Sequence, residues 1–446
     1  MRFPFALTAK IAKYIIGQKL RGKAKFATVL QLEPLHTCNL TCTGCGRIRE
    51  YSTSLKDLMS LDACLGAAQE CGAPMVSVCG GEPLIYPQIE ALADGLLNDQ
   101  KRVVYLCTNA MFMRRKMRAY LAKEFARTPE AVEGIVTRLK EEGLASEKDA
   151  AEIRKGPKDA NAPVMAPHDF FYWNVHLDGL EYTHDLIVER EGVFKEAVLA
   201  IRMAKILGYQ VATNTTVYKE TDMREIEGML DFLADFGVDG HTISPGYEYD
   251  AAKQDMVKRL SLRPEDFFLT REGTREKFQD LTEWSNRYTI LGTPIYHEFL
   301  AGRRELECSA WAIPTRNIAG WRGPCYFMAG AGHFPTYEDM LTQVDWSKFG
   351  VEPYTGKAKD PRCENCMSQC GFEPSGALSS RLDDSWKNLV YNFLPRPKAS
   401  GRGKEVHAYN GVTSGRGHIT GEQVAPKRTS PATSEHVVAE PASIAA

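Results

Sequence analysis

Short apolar runs rich in β-branched residues alternate with longer stretches of helical periodicity between about residue 27 and residue 250. Because such runs are typical of strands, and the stretches between them of helices, the pattern predicts parallel βα units. Six strands are predicted, at residues 28–33, 75–79, 102–107, 171–177, 210–217 and 240–244. Six units predict an α/β fold, a partial (β/α)6 barrel of the TIM type that is open at one side. Its chemistry is expected at the carboxyl ends of the strands.

Residues 1–26 predict a basic amphipathic helix in front of this barrel. Residues 1–32 contain seven Lys or Arg and no Asp or Glu, and apolar residues recur there at roughly helical spacing. One interpretation is an anchor on the anionic inner face of the cytoplasmic membrane, which the long acid-free run favours. The other interpretation is a helix that packs its apolar stripe on the barrel and keeps its charges in solvent.

Three further segments depart from the pattern of alternating strands and helices. Residues 114–158 are rich in charged side chains and predict a helical insertion on the surface. The alternation ends near residue 250, and cysteines return in residues 251–394, which predicts a smaller Cys-rich C-terminal domain. Residues 395–446 are rich in Gly, Ser, Pro and Ala. They predict a disordered tail, because so few apolar side chains do not offset the entropy of ordering.

Composition narrows the classes of function. The 446 residues are 43% apolar, enough for at least one large core, and the formal net charge of −2 gives no reason to expect a nucleic-acid partner. The sequence has no run of 18 apolar residues that would predict a membrane span. Twelve cysteines without a regular framework, and no cleavable signal segment, predict a protein of the reducing cytoplasm whose thiolates are free to bind metals.

Three of these cysteines, Cys38, Cys42 and Cys45, follow the first predicted strand in a CxxxCxxC spacing. Three thiolates so close together can hold three irons of a 4Fe–4S cluster and leave the fourth iron open to an exogenous ligand. A structural zinc site is the other interpretation. It would need a fourth protein ligand nearby, for which His36 is the close candidate.

The second predicted strand is followed by Gly80, Gly81, Glu82 and Pro83, and glycines there let a backbone edge approach a ligand closely. Together with the CxxxCxxC loop one strand earlier, this segment resembles the radical S-adenosylmethionine (SAM) superfamily. The resemblance implies that the three cysteines bind the cluster. It also implies that Gly80, Gly81 and Glu82 bind the methionine end of SAM, at its amino group.

Two positions depart from that superfamily pattern. Gly44 stands where many members have an aromatic residue before the third cysteine, and the fourth predicted strand ends in His176-Leu-Asp178-Gly179 instead of Ser-x-Asp-Gly. His176, Arg190 and Asn214 lie at or after the fourth strand and on the fifth. Each can contact the ribose or carboxylate of SAM, or be a structural polar residue with satisfied hydrogen bonds.

Longer segments carry a closer resemblance, namely residues 32–38, 45–51, 78–87, 105–109, 175–179 and 320–326. They resemble the radical SAM enzymes of hopanoid biosynthesis, the adenosylhopane synthases, over about residues 2–380 without the insertion. The resemblance implies that the 5′-deoxyadenosyl radical adds to the exocyclic double bond of diploptene, a hydrophobic triterpene, and gives adenosylhopane. SAM is then a substrate, and an electron donor such as a flavodoxin or ferredoxin is required.

Two other classes of function remain open. A peptide-modifying or sulfatase-maturing radical SAM enzyme would use the same pairing of domains on a polar peptide. A zinc-dependent adaptor without catalysis would use the cysteines only as structural ligands. Anaerobic purification separates the last class from the others, because an iron–sulfur protein is brown and a zinc protein is colourless.

A second group of cysteines lies in the C-terminal region: Cys308, Cys325, Cys363, Cys366 and Cys370. The Cys-x11-Gly-x4-Cys and CxxCxxxC spacings resemble the SPASM and twitch domains of other radical SAM enzymes, which hold auxiliary clusters. Five cysteines supply four ligands and one spare. The spacings suit a second iron–sulfur cluster, which we favour, or a structural zinc ion.

Cys107 is the candidate for a catalytic side chain. Radical addition to an alkene leaves a tertiary carbon radical that must receive a hydrogen atom, and a thiol is the best donor among side chains because its S–H bond is weak. Cys107 ends the third predicted strand, where barrel residues face the site. The other interpretation is a small buried hydrophobe, with Cys79 as the rival donor.

Overall fold

One sheet of nine strands runs through the molecule. The structure, a computed structural model, describes residues 4–51, 53–328, 332–353 and 355–397. Most of the predicted tail, residues 398–446, lies outside the described residues. The strands are β1 (Val29–Leu32), β2 (Met75–Val78), β3 (Val103–Thr108), β4 (Phe171–His176), β5 (Gln210–Val217), β6 (Gly240–Pro245), β7 (Thr315–Asn317), β8 (Gly320–Arg322) and β9 (His333–Phe334).

Strands β1 to β6 are parallel and neighbour each other in chain order. This is the arrangement that consecutive βα units produce, and it confirms the predicted α/β fold with a parallel core. The sheet then continues beyond β1. Strand β7 pairs with β1 in parallel, and β8 and β9 add antiparallel strands. The sequence did not predict this extension, because strands of two or three residues carry no readable alternation.

Helices cover the outer face of the parallel strands. The seventeen α-helices of the described residues are α1 (Phe5–Leu20), α2 (Arg47–Glu50), α3 (Leu61–Cys71), α4 (Ile89–Asp94), α5 (Met113–Phe125), α6 (Pro129–Glu141), α7 (Glu147–Arg154), α8 (Glu181–Ile187), α9 (Val193–Ile206), α10 (Met223–Ala234), α11 (Asp250–Asp255), α12 (Arg271–Lys277), α13 (Leu281–Arg287), α14 (Pro294–Leu300), α15 (Tyr337–Gln343), α16 (Gln369–Ala377) and α17 (Leu382–Phe393). Their starts follow local sequence signals. Ser60 caps α3 by accepting from the Ala63 amide, and Ser146 forms a capping box with Asp149 at α7.

The segment 114–158 is helical, as predicted, and forms most of α5, α6 and α7. Its charged side chains face solvent, but Met117, Val136, Leu139 and Ile153 are fully buried in the main core. The segment therefore contributes to the barrel's outer layer and is not only a surface addition. Composition alone did not indicate this role, because an amphipathic helix can bury one apolar face while most of its residues are charged.

Helix α1 lies at the amino end of the barrel, opposite the loops that follow the strands. Leu7 packs against Val103, Tyr172 and Ala212, which lie in the first three positions of β3, β4 and β5. The Tyr14 hydroxyl donates to the Ala27 carbonyl at 2.7 Å. One face of this helix therefore packs on the rest of the protein. Within the described residues, no helix is long and apolar enough to cross a membrane.

Candidate active site

The CxxxCxxC loop joins β1 to α2 at the carboxyl end of the strands. Cys38, Cys42 and Cys45 are half-buried; the Leu40 amide donates to the Cys38 sulfur at 3.4 Å, and the Cys45 amide donates to the Cys42 carbonyl at 3.1 Å. Burial raises the pKa of the Cys38 thiol to about 12. It also raises the pKa of Cys42, where the other two sulfurs add to the effect. Buried thiolates need a cation to compensate their charge, so this donor set fits an iron–sulfur cluster.

The two glycines after β2 lie directly against the cysteine loop. A Cβ atom on Gly80 would stand 2.3 Å from the Leu35 carbonyl oxygen, and one on Gly81 would stand 2.1 Å from the Thr37 carbonyl oxygen. The Gly81 amide donates to Leu35 at 3.1 Å, and the Glu82 amide donates to Thr37 at 2.8 Å. The glycines are therefore required for the close approach of two backbone segments, which fixes the cysteine loop against β2.

Glu82 has a fully buried carboxylate beside that loop. It accepts hydrogen bonds from the Leu84 amide at 3.0 Å, the Asn109 amide at 2.9 Å and the Thr108 hydroxyl at 2.8 Å. Burial raises its pKa to about 7, although these three bonds oppose the shift. The side chain of Asn109 also donates to Asn39 at 2.9 Å, so Glu82 and the cysteine loop share one neighbour. A carboxylate held in this way is suited to bind an ammonium group.

Aromatic side chains from beyond β6 cover the cysteine loop, and the sequence did not reveal them. A Cβ atom on Gly44 would stand 2.8 Å from the ring of Phe267, and one on Gly46 would stand 2.3 Å from the ring of Tyr249. The Tyr249 hydroxyl accepts from the Gly46 amide at 2.5 Å. Phe267 therefore fills the space beside the position where related sequences have an aromatic residue. The one indication in the sequence was Gly44, a glycine at a position where an aromatic residue was expected.

Two of the three other predicted SAM contacts lie together on neighbouring strands. His176, the last residue of β4, is paired in register with Asn214 of β5. The His176 ring nitrogen Nε2 stands 2.9 Å from the carboxylate of Asp178, which is fully buried. Burial lowers the pKa of His176, but the charge of Asp178 outweighs it, and the net pKa is raised. Both residues lie at the carboxyl edge of the sheet, where the cysteine loop also lies.

Arg190 is placed differently. Its side chain is exposed in the turn between α8 and α9. The preceding residue, Glu189, which the sequence analysis did not single out, contacts the cysteine loop. It accepts from the Thr43 hydroxyl at 2.9 Å and pairs with Arg259 at 2.5 Å, while Arg259 donates to the Thr41 carbonyl at 3.2 Å. This clamp joins the loop to two distant parts of the chain.

Cys107 is enclosed between neighbouring strands near the carboxyl end of β3. Its sulfur lies 3.3 Å from the Ser77 hydroxyl and 3.3 Å from the side-chain nitrogen of Asn174. Burial raises the pKa of the thiol, so it is held in the protonated form near neutral pH. Cys79 extends β2 beside it, and burial raises the pKa of that thiol as well.

The second group of cysteines comes together in space. Cys308, Cys325, Cys363 and Cys366 line one cavity. The fifth cysteine, Cys370, and Cys366 both lie beside Ser368: their sulfurs stand 3.5 Å and 3.4 Å from its hydroxyl oxygen. Burial raises the pKa of all five, and the neighbouring cysteine charges raise the pKa of Cys308 further.

These donors do not form a preformed site for one ion. Among the residues that the structure describes, no group of three or more His, Cys, Asp and Glu side chains is arranged to hold a single metal ion. What the two cysteine groups share is a set of half-buried or buried sulfur donors, the ligand type that iron–sulfur clusters and zinc both take.

A buried charge network connects the two cysteine groups. Arg47 and Arg322 both donate to the carboxylate of Glu50 at 2.8 Å. Arg322 also donates to the Cys325 carbonyl at 3.3 Å, and the Arg47 guanidinium lies 3.6 Å from the ring centre of Tyr326. All three charged side chains are almost fully buried. Because unpaired charges are costly in such a place, the network holds the first loop in fixed relation to the second.

Comparison with known families gives this arrangement a name. Residues 32–233 match the family model described as the radical SAM superfamily, and this stretch contains the cysteine loop, both glycines and Glu82. The matched stretch contains the last residue of β1 and all of β2 to β5, which is most of the parallel core described above. Residues 241–389 match a second family model, described as a domain of unknown function, DUF3463, which contains all five cysteines of the second group.

The chain is also similar to several solved structures, with which it shares little sequence. SuiB of Streptococcus suis bound to precursor peptide SuiA has a TM-score of 0.48 and 13% identity, covering 80% of this chain and 74% of that chain. SuiB bound to SAM has a TM-score of 0.47 and 14% identity, covering 80% of this chain and 74% of that chain. Native anSMEcpe with bound AdoMet and Cp18Cys peptide has a TM-score of 0.43 and 13% identity, covering 85% of this chain and 99% of that chain. No curated protein matches the chain.

Proposed function

We propose that the radical SAM domain transfers the 5′-deoxyadenosyl group of SAM to an alkene carbon of diploptene. The observation that supports the SAM half of this proposal is the contact of three elements: the cysteine loop, the glycines and Glu82. When bound, a reduced 4Fe–4S cluster supplies the electron that cleaves SAM into methionine and the 5′-deoxyadenosyl radical. In this proposal Cys38, Cys42 and Cys45 hold that cluster.

The other residues of the site bind and orient SAM. Glu82, Gly80 and Gly81 bind the amino group and carboxylate end, with the carboxylate of Glu82 paired to the ammonium. His176 and Asn214, adjacent on β4 and β5, are placed to donate to the ribose or carboxylate. Arg190 has an exposed side chain, so its role requires that SAM or the product reach the turn between α8 and α9.

Cys107 ends the reaction in this proposal. The adenosyl radical forms a carbon–carbon bond with the terminal alkene carbon and leaves an unpaired electron on the neighbouring tertiary carbon. The thiol of Cys107 gives that carbon a hydrogen atom and becomes a thiyl radical. One electron from a flavodoxin or ferredoxin and one proton then restore the thiol. The raised pKa of Cys107 supports this role, because a hydrogen-atom donor must keep its S–H bond.

The experiment that tests the substrate is an anaerobic reaction of the enzyme, SAM, dithionite and diploptene, analysed by mass spectrometry. The proposal predicts a product with the mass of diploptene plus the adenosyl group and one hydrogen atom. SAM cleavage that yields only 5′-deoxyadenosine, with diploptene unchanged, would contradict it. A reaction without diploptene is the control for uncoupled cleavage.

A peptide substrate is the second candidate. The solved relatives include enzymes described with bound peptides, and the C-terminal cysteines resemble the auxiliary-cluster domains of peptide-modifying enzymes. On a peptide the adenosyl radical would abstract a hydrogen atom, so the product would be 5′-deoxyadenosine and not an adenosyl adduct. The same mass-spectrometric experiment separates the two candidates.

For the second cysteine group we propose an auxiliary iron–sulfur cluster, with zinc as the alternative. The four cysteines that line one cavity, Cys308, Cys325, Cys363 and Cys366, are the proposed ligands, with Cys370 as the spare thiol. Metal analysis of the anaerobic protein distinguishes the two metals.

We further propose that the protein acts in the cytoplasm and binds the inner face of the cytoplasmic membrane through α1. Support comes from its acid-free sequence and from the exposure of Phe5, Lys13, Ile16 and Leu20 on the helix face that does not touch the barrel. α1 lies at the amino end of the barrel, whereas the candidate active site lies at the carboxyl end. Membrane contact through α1 would therefore not deliver a lipid directly to the active site. Substrate would have to enter from the side of the barrel's mouth.

A further inference from the structure

The last helix, α17, turns its apolar side chains away from the protein. Leu382, Trp386, Leu389, Val390 and Phe393 recur every three or four residues and so form one stripe along the helix. All five are exposed, Leu382 at 88% and Trp386 at 65% of their surface. An ordinary surface helix buries such a stripe, and this one leaves it in solvent.

Polar contacts hold α17 on its opposite face. Asp384 pairs with Arg304 at 2.5 Å and accepts from the Ser379 hydroxyl at 2.7 Å. The Tyr391 hydroxyl donates to the Ile290 carbonyl at 2.7 Å. The buried side of α17 is therefore fixed by hydrogen bonds and an ion pair, and its outward orientation is specified by the structure.

The segment that leads into α17 contacts α1. The Lys19 side chain, in the last turn of α1, donates to the Leu378 carbonyl at 2.9 Å, four residues before α17 begins. At the other end, Tyr391 binds the Ile290 carbonyl, and the next residue, Leu291, packs against the apolar cluster that also contains Leu7 of α1. The carboxyl end of α1 therefore lies beside the segment that leads into α17.

We propose that α1 and α17 together form a docking face for an anionic phospholipid bilayer, in which α17 supplies the apolar wedge and α1 supplies the cations. This deepens the membrane attachment proposed above, and it does not depend on the radical reaction. On α1, Phe5, Ile16 and Leu20 lie 11 and four residues apart, which places them on one side of the helix. The docking face thus has two apolar stripes flanked by positive charge.

Charge and composition favour a lipid surface as the occupant. Residues 1–32 contain no acidic residue, and residues 21–25, which include Arg21, Lys23 and Lys25, are exposed. Cations near an anionic leaflet contribute about 1 kcal/mol each, and Trp is favoured at the lipid–water boundary. The chain's own residues 398–446 contain one aromatic residue, Tyr409, and no Leu, Met, Phe or Trp, so they offer few bulky apolar side chains to cover the stripe of α17.

The test is flotation of the full-length protein with vesicles of phosphatidylglycerol and phosphatidylcholine, compared with phosphatidylcholine alone. The variant Trp386→Ser with Leu389→Ser removes part of the wedge and leaves Asp384 and Tyr391 in place. We expect its partition onto anionic vesicles to fall about tenfold or more. The matched control is Leu55→Ser, an equally exposed leucine on a different loop, which is expected to float like the wild type.

A second variant, Lys13→Glu with Lys23→Glu, tests the contribution of α1. It should lose the preference for anionic over neutral vesicles and keep its SAM cleavage in solution. The fluorescence of Trp386 gives an independent readout: its emission should shift to the blue on vesicle addition, and Trp386→Phe should remove that shift. Unchanged flotation of both variants would overturn the proposal. Concentration-dependent dimerisation that the Trp386 variant abolishes, without vesicle binding by the wild type, would assign the face to a second copy instead.

Discussion

The two cysteine groups are built in opposite ways. Cys38, Cys42 and Cys45 come from one segment of eight residues, 38–45, in the loop between β1 and α2. The second group spreads from Cys308 to Cys370, over loops that lie far apart in the sequence. A local loop can present its three sulfurs with little help, whereas the second group exists only when the C-terminal region is folded around it.

The two groups also differ in what surrounds them. The first loop is packed against backbone, at Gly80 and Gly81, and against aromatic rings, at Phe267 and Tyr249. The second lies in its own cavity and is joined to the first through the buried network of Arg47, Glu50 and Arg322. The first group lies at the carboxyl edge of the parallel strands, where ligands reach a barrel of this type, which is why we propose a reactive role for it and a supporting role for the second.

The largest expected effect is at the first group. Replacement of any one of Cys38, Cys42 or Cys45 by Ala should abolish SAM cleavage, because no other thiol of the loop can take the place of a lost ligand. The measurement is 5′-deoxyadenosine production with dithionite, together with iron content. Cys64→Ala, a buried cysteine on α3, is the control and should retain activity. Production that persists in any of the three variants would disprove the cluster assignment.

The second group should behave differently. Cys366→Ala should remove the metal of the second group, while the iron of the first loop and SAM cleavage remain. Metal analysis and electron paramagnetic resonance of the variant beside the wild type measure both sites separately. If the variant loses all of its iron and all cleavage, the two groups form a single functional unit and the contrast drawn here is wrong.

Cys107 belongs to neither of the two proposed metal-binding groups, and a variant at this position tests its proposed role as hydrogen-atom donor. Cys107→Ala should keep SAM cleavage but lose the saturated adenosyl product, because the tertiary radical has no hydrogen donor. Mass spectrometry of the diploptene reaction detects the missing or diverted adduct. Cys79→Ala is the matched variant on the neighbouring strand and should form normal product. The reverse result would move the donor role to Cys79.

The smallest expected effect is a pH-dependent change in stability. It concerns two carboxyl groups, Glu82 near the first cysteine group and Glu373 near the second. Burial raises the pKa of Glu373 on α16 to about 7, as it does for Glu82. Since the folded protein binds this proton more tightly than the unfolded chain, Glu373 disfavours folding progressively as the pH rises from about 4.5 to about 7. Glu373→Gln should therefore gain stability relative to the wild type at pH 8 but not at pH 4.5. Roughly 3 kcal/mol is the upper limit, because part of the side chain stays accessible.

Urea unfolding of Glu373→Gln and wild type at both pH values measures this difference. Glu141→Gln, on the exposed side of α6, is the control and should shift little. An equal effect of Glu373→Gln at the two pH values would show that the proton is not the cause. Glu82→Gln is expected to act instead on SAM binding, since that carboxylate is proposed to hold the ammonium.

Much of the barrel was predictable because its signals are local. All six predicted strands are present, with ends that differ by at most one residue, since each is a β-branched run bounded by polar loops. The CxxxCxxC loop and Gly80 and Gly81 were visible because their spacing alone limits what they can bind. Gly44 indicated that a ring was missing from the loop, but the sequence did not identify Phe267 as the residue that packs there, because the contact joins residues more than 200 positions apart.

The sequence by itself determined the order of the strands, the first cysteine loop and the acid-free character of the amino-terminal segment, because each depends on neighbouring residues. The tertiary structure decided the rest. It placed α1 at the amino end of the barrel, extended the sheet through β7 to β9, and gathered Cys308, Cys325, Cys363 and Cys366 around one cavity. It also turned the stripe of α17 outward. The physical reason is that burial and long-range contacts arise only when distant segments meet, and periodicity along the chain does not specify the neighbour that a face will meet.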